Sequence, residues 1–250
     1  GNLTFLNYDI LRFNHLKQQK KIFIFQTKLY DYDLSKIQRA SQPLKEQMII
    51  SYKIIDAITK LHNKKYIHRD IKPQNIFVLG RYPFMEITLA DYGLSQHQDY
   101  FAFGTSLAGT RGYIDPQLCV WKIKDRKNKP FTYKQGIKAD LFSTGMTLYH
   151  MFIKDKSLKQ INTKINHIGL PKRKGKENLK PDNLEDLLKS FSNQYKEVII
   201  KKPTEQTKSH IMKVKFHKLI GQMIHPKPDK RPTSANEILE KLDYLIRAIS

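Results

Sequence analysis

The residues best equipped for chemistry are concentrated in two short stretches. The first reads His68-Arg69-Asp70-Ile71-Lys72-Pro73-Gln74-Asn75, and sixteen positions beyond Asn75 comes Asp91-Tyr92-Gly93. Asp70 offers a carboxylate to handle a hydroxyl proton, and Lys72 offers a positive charge two residues away. Asn75 and Asp91 form an amide and carboxylate pair of the oxygen-donor type that holds magnesium. Together these are the groups needed to move a phosphoryl group from a nucleotide to an alcohol.

The octet resembles the catalytic loop of eukaryotic protein kinases, H-R-D-x-K-P-x-N, and Asp91-Tyr92-Gly93 is a one-letter variant of their D-F-G. Further motifs follow in the order of that family. Gly109-Thr110-Arg111-Gly112-Tyr113-Ile114-Asp115-Pro116-Gln117 resembles the end of an activation segment, usually G-T-x-x-Y-x-A-P-E. Asp140-Leu141-Phe142-Ser143-Thr144-Gly145 resembles the start of the long buried helix of the large lobe, and Lys230-Arg231-Pro232-Thr233 matches the late R-P-T. The motifs run from 68 to 233.

The resemblance implies an α+β, two-lobe fold, mostly the helical large lobe with two strands of the small lobe. Residues 1–30 would be a remnant of the small lobe and 31–250 the large lobe. It also implies ATP and Mg2+ as cofactors and a protein substrate. Asp70 would accept the proton of a substrate hydroxyl, Lys72 would neutralise charge on the transferring phosphate, and Asn75 and Asp91 would ligate magnesium. A lysine two residues after the aspartate resembles the serine/threonine-specific branch. Leu29 and Tyr30 fall in the segment that looks like the hinge, and Phe77 would lie against the adenine. Arg69, Ser106 and Thr110 are the expected regulatory residues, with a phosphate on Ser106 pairing with Arg69.

Two departures stand out. Gln117 occupies the place of a glutamate that normally pairs with the arginine at Arg231, so charge assistance is expected to be lost there. At the front there is no G-x-G-x-x-G, no strand lysine of the V-A-I-K type and no helix with its partner glutamate. The chain therefore reads as a kinase domain beginning at the fourth strand of the small lobe, and the 250 residues by themselves are expected to be catalytically silent. A pseudokinase acting as a binding or scaffolding module is the alternative; retention of both Asp70 and Asp91 argues for the enzyme. Gly104 to Arg111 loosely resembles a phosphate-binding loop but lacks its lysine.

The elements that must position these groups are legible around them. Strand-like runs cover Leu3 to Ile10 and Lys21 to Thr27, separated by the polar Asn14 to Lys20. Apolar residues Leu44, Met48, Tyr52, Ile55, Ile58 and Leu61 recur at helical spacing behind Pro43, predicting a helix that feeds the His68 loop. Ile76 to Leu79 and Glu86 to Leu89 read as a hairpin that would bring Asn75 and Asp91 together at its outer ends. The remainder reads as helical, with capping signals at Asp182-x-x-Glu185 and Ser234-x-x-Glu237. The lysine-rich, proline-bounded Gly169 to Pro181 reads as an exposed loop.

Composition narrows the rest. Net charge is +22 and the sequence pI about 9.8, yet the lysines lie in dispersed clusters without interleaved aromatics. No specific nucleic-acid binding is expected from that pattern, and acidic partners fit better. The single Cys119 rules out an internal disulfide, and no run approaches the ~20 apolar residues of a membrane span. An intracellular location follows as the expectation, cytoplasmic with the nucleus left open. Neither H-E-x-x-H nor paired-cysteine spacing marks a zinc site.

Overall fold

The computed structural model describes residues 5–15, 18–37, 42–100, 108–125, 131–153, 155–169, 184–199 and 207–249. The front of the chain forms one antiparallel hairpin, β1 (Phe5–His15) and β2 (Gln18–Thr27), with Tyr8 opposite Phe25 and His15 opposite Gln18. Both strands run further than the apolar residues alone predict. The polar Asn14 to Lys20 is mostly ladder, because backbone pairing in a two-stranded ribbon does not depend on an apolar face.

Helix α1 (Leu44–Asn63) follows Pro43, which sits at the N-cap rather than inside the first turn. Of the expected stripe, Met48, Ile55, Ile58 and Leu61 are buried, with Leu44 and Tyr52 at its margin. Ile50, Ile54 and Ala57 are buried as well, because α1 is enclosed by several elements rather than laid on one. Each such isoleucine, leucine or methionine side chain contributes roughly 1.5–3 kcal/mol when fully buried.

A small sheet joins β3 (Tyr32–Asp33), β5 (Ile76–Leu79) and β6 (Glu86–Leu89), and the two-residue β4 (Tyr66–Ile67) pairs with β7 (Gln96–His97). The β5–β6 hairpin has the expected bounds, with Ile76 opposite Leu89 and Leu79 opposite Glu86. Strands β3, β4 and β7 are too short to leave a periodic signal.

Helix α2 (Pro116–Val120) continues into a wider π turn, Trp121–Asp125, and the buried centre of the molecule is α3 (Tyr133–Phe152). The resemblance put the start of that helix at Asp140. The structure corrects this: a capping box between Thr132 and Gln135 starts α3 about two turns earlier, leaving Asp140 mid-helix. Around it lie α4 (Ser157–Gly169), α5 (Leu184–Ile199), α6 (Lys208–Met223) and α7 (Ala235–Ile249), with α7 against α1 and α6 against α3. Ser234 caps α7 through the Glu237 amide at 3.3 Å, while the Glu237 carboxylate reaches the Thr233 amide at 3.0 Å. Of the expected exposed loop, Gly169 is the last residue of α4; the rest of it, 170–181, and Asp182 lie outside the described residues. Among the described residues no helix is long and apolar enough to cross a membrane.

On α6, His217 has a buried Nε2 without a hydrogen-bond partner among the described residues. Burial, followed by the nearby charges of Lys213 and His210, lowers its pKa from the ordinary 6.5 to about 4. The unfolded chain therefore binds more protons between those two values. Stability is expected to be intact above pH 6.5 and to fall by up to about 3 kcal/mol as the pH drops towards 4. Urea unfolding midpoints at pH 7 and pH 4.5 would show this slope, and His217→Leu should flatten it.

Candidate active site

The catalytic loop is held from beneath by one carboxylate. Asp140 of α3 accepts the backbone amide of His68 at 2.7 Å on Oδ2 and that of Arg69 at 2.9 Å on Oδ1, and His62 Nε2 lies 3.0 Å from Oδ2. Burial pushes the Asp140 carboxyl up, but the His62 hydrogen bond and charge, with His68 nearby, outweigh it and leave its pKa below the ordinary carboxylate value. The amide grip secures Arg69 at φ 73°, a left-handed conformation that costs a non-glycine residue roughly 1–2 kcal/mol. His68 is fully buried, its Nε2 3.0 Å from the Ala90 carbonyl, so it ties the loop to the end of β6.

Above this base the reactive groups converge. The Asp70 carboxylate is 8% exposed; its Oδ2 accepts Lys72 Nζ at 2.9 Å and Asn75 Nδ2 at 3.0 Å. Its Oδ1 has no hydrogen-bond partner among the described residues. Lys72 Nζ also donates to the Thr110 hydroxyl at 2.8 Å, so the start of the 110–114 turn meets the catalytic loop. Gly109 permits that approach: its φ is 118°, and a Cβ there would stand 2.7 Å from the Arg69 carbonyl oxygen. Thr110, expected among the regulatory residues, thus lies in direct contact with Lys72.

The hairpin brings the two expected metal ligands to one end of the sheet, where the Ala90 amide donates to the Asn75 carbonyl at 2.9 Å. The Asn75 side-chain nitrogen is committed to Asp70, which leaves its Oδ1 as the acceptor. Asp91 is exposed at φ 61°, and among the described residues its Oδ1 takes the Gly93 amide alone, at 3.4 Å. Among the described residues no three His, Cys, Asp or Glu side chains group into a metal cage. One amide and one carboxylate fit magnesium well, since that ion keeps several waters and takes further oxygens from phosphates. Tyr92 packs its ring 5.2 Å from that of His68.

Two residues along the chain from Asn75, the Phe77 ring meets that of Tyr30 at 5.5 Å, bringing two of the three expected nucleotide-seating residues together. Leu29 is 88% exposed. The Arg69 guanidinium is half-buried, 3.4 Å from the Leu94 carbonyl oxygen, and burial lowers its pKa against the opposing pull of Asp140. Ser106 lies outside the described residues.

A sequence model of the protein kinase domain matches residues 7–242. The chain belongs to the protein kinase family. Among similar proteins, the phosphorylase b kinase gamma catalytic chain, liver/testis isoform, of Bos taurus is 30% identical over 149 residues, 60% of this chain and 31% of that protein. The Aurora kinase of Schizosaccharomyces pombe is 31% identical over 151 residues, 58% of this chain and 38% of that one. The serine/threonine-protein kinase nekl-2 of Caenorhabditis elegans is 29% identical over 108 residues, 42% and 27% of the two chains. The chain spans about a third of the length of these curated relatives.

The kinase domain corrects one expectation from its sequence. Gln117 does not leave Arg231 without a charged partner. The guanidinium forms a two-pronged ion pair with Asp115, through Nη1 to Oδ2 and Nη2 to Oδ1. Its Nε donates to the His225 carbonyl at 2.8 Å, and its carbon lies 4.7 Å from the centre of the Phe142 ring. The carboxylate has moved two positions, to where the family usually has alanine, and there it also caps α2 by accepting the Gln117 amide at 3.0 Å. Gln117 turns instead to the Pro226 carbonyl, 3.3 Å away.

The sequence reading of the kinase domain also passed over Asn162 and Asn166 on α4. Both are fully buried, and they grip the turn after Thr110. Gly112 donates its amide to Asn166 Oδ1 at 2.8 Å, and Asn162 Nδ2 donates to the carbonyls of Gly112 and Ile114. The available signal was two asparagines four apart inside the apolar stripe Ile161, Ile165 and Ile168, a spacing that puts polar groups on a buried face.

Proposed function

We propose that this protein transfers the γ-phosphate of ATP to serine or threonine hydroxyls of protein substrates. The observation that carries the reading is the divided Asp70 carboxylate, with Oδ2 held by Lys72 and Asn75 and Oδ1 buried without a partner among the described residues. A fixed, desolvated acceptor of that kind suits the proton of an attacking hydroxyl. As the hydroxyl oxygen bonds to the γ-phosphorus, its proton passes to Asp70 Oδ1 and the bond to the ADP oxygen breaks. Lys72 stands beside the same carboxylate to offset charge on the transferring group. Asn75 Oδ1 and Asp91 would hold magnesium, which supplies charge neutralisation across the nucleotide phosphates. Tyr30 and Phe77 offer an aromatic face to the adenine, with Leu29 at its edge. In this reading residues 1–30 belong to the small lobe and 31–250 to the large lobe. The serine/threonine class draws support from Lys72, two residues after Asp70, and from relatives named as serine/threonine kinases. An intracellular site of action fits the lone, buried Cys119 and the need for ATP.

The test is incubation of the full-length protein, with a complete small lobe, with Mg2+, γ-labelled ATP and a mixed serine/threonine/tyrosine peptide pool, followed by phosphoamino-acid analysis; the 250 residues alone serve as the control expected to be silent. Label on serine or threonine is the expected result, and label confined to tyrosine would overturn the class. Asp91→Asn should weaken Mg-dependent nucleotide binding at least ~10-fold, the size of losing one charged ligand interaction. Nucleotide binding without any transfer would favour a pseudokinase acting as a scaffold.

A further inference from the structure

Away from the reactive groups, α5 and the turn leading towards α7 enclose a separate hollow. Its volume is about 410 Å³, within the range of pockets that hold small ligands. Tyr195, His225 and Pro226 form its apolar wall, the two aromatic rings meeting edge to face at 5.1 Å between centres. Lys196, Lys227 and Lys230 line it as well, all three exposed, and no carboxylate is among the lining residues. None of these three ammonium groups forms an ion pair or a hydrogen bond with a described residue. Lysine stems cover apolar surface while their charged heads stay in water, so the hollow is apolar inside and positive at its mouth.

We propose that this hollow docks an acidic segment of a protein partner, one apolar side chain entering against Tyr195 and His225 while flanking carboxylates meet the three lysines. The inference concerns binding alone and does not depend on the phosphotransfer reading. Charge decides the class of occupant. The chain carries a net +22, and its lysines lie mostly in dispersed clusters. Here lysines from two separate segments converge on one concave surface, where a single sign of charge concentrates the field and draws in anions. The wall decides between acidic partners. Tyr195 is 6% exposed, so it offers a side wall for an inserted side chain and no open face on which a nucleic-acid base could stack. Burial raises the pKa of its hydroxyl to about 12, which keeps that group a neutral donor at physiological pH.

Both walls are fixed in advance. The Lys227 amide donates to His225 Nδ1 at 3.0 Å, and the Lys230 amide donates to the Lys227 carbonyl at 3.1 Å. Arg231 Nε holds the His225 carbonyl at 2.8 Å, and Lys138 of α3 holds the Pro228 carbonyl at 2.7 Å. On the α5 side, Phe191 lies one turn before Tyr195 and packs its ring 6.1 Å from that of Phe142 in the core. A partner that meets ordered walls need not supply their ordering cost.

The experiment measures binding of fluorescein-labelled peptides to the full-length protein by anisotropy. The first probe is a short peptide with one phenylalanine between aspartates and glutamates. A second replaces the phenylalanine with alanine, and a third replaces the acids with asparagine and glutamine. Two double variants are compared with the wild type: Lys196→Glu with Lys227→Glu at the hollow, and Lys215→Glu with Lys218→Glu on the exposed side of α6. Both pairs change the net charge equally, and circular dichroism checks that both fold. The wild type should bind the first probe roughly 10-fold or more tighter than either of the others, the scale of one buried aromatic side chain or one charged pair. The hollow variant should lose roughly 10-fold or more for that probe, and the α6 variant less than about 3-fold, as expected of screened surface charges. Equal losses in the two variants would reduce the effect to diffuse attraction and overturn the site. Equal affinity for the phenylalanine and alanine probes would remove the apolar anchor and overturn it too, as would failure of the wild type to bind the first probe. Displacement of that probe by a short oligothymidylate whose own binding depends on Lys196 and Lys227 would assign the hollow to nucleic acid instead.

Discussion

Asp70→Asn is expected to lower kcat by roughly 10²–10⁴-fold, the usual worth of a positioned general base, while Mg-nucleotide affinity changes little. The amide can still accept a bond from Lys72 or Asn75 through its oxygen, so the loop's hydrogen bonds survive in part. What disappears is an anionic acceptor at Oδ1, the atom that stands buried without a partner among the described residues. Steady-state turnover on a serine peptide by the full-length protein, with a complete small lobe, separates the effects when nucleotide affinity is measured in parallel. Turnover equal to the wild type would remove Asp70 from the chemistry. A matched fall in nucleotide affinity and turnover would instead assign it to nucleotide binding.

The second large effect concerns stability. Arg231 is 3% exposed and Asp115 4%, so removing either partner leaves a buried, uncompensated charge. Arg231→Met alone, which strands the Asp115 carboxylate, is expected to cost about 3–5 kcal/mol. At roughly 2–4 °C per kcal/mol for a chain of this size, the unfolding midpoint should fall by roughly 6–20 °C. Arg231→Met combined with Asp115→Leu should recover most of that loss, except for the helix cap on α2, worth about 1 kcal/mol. Thermal unfolding followed by circular dichroism reads all four proteins of the cycle. Strictly additive losses would show that the two charges are not coupled.

The sequence was most readable where function fixes residue type. Asp70, Lys72, Asn75 and Asp91 stand in motifs, and the hairpin that brings two of them together is written in alternating apolar runs. It was least readable where a residue's role depends on a partner distant in the chain. Asp140 looked like the first residue of a helix because its motif begins there, but the helix starts at a capping box the motif does not include. Asp115 carried no signal as the partner of Arg231, since the two are 116 residues apart and the family pattern points to position 117. Strands of two residues, such as β4 and β7, fall below any periodicity.

The Asp140 arrangement bears on how the molecule loosens. Amides of loops ordinarily exchange with solvent through small local openings. Those of His68 and Arg69 are bonded to a carboxylate on the most buried helix, so their acceptor is fixed by the core. That helix packs Phe142 against Phe191, Phe152 against Phe216 and Gly145 against Met223, which keeps the acceptor in place while the loop itself fluctuates. The segment bearing the reactive aspartate, though short and irregular, thereby acquires the protection of the core, and thermal agitation that frees surface turns leaves it in register.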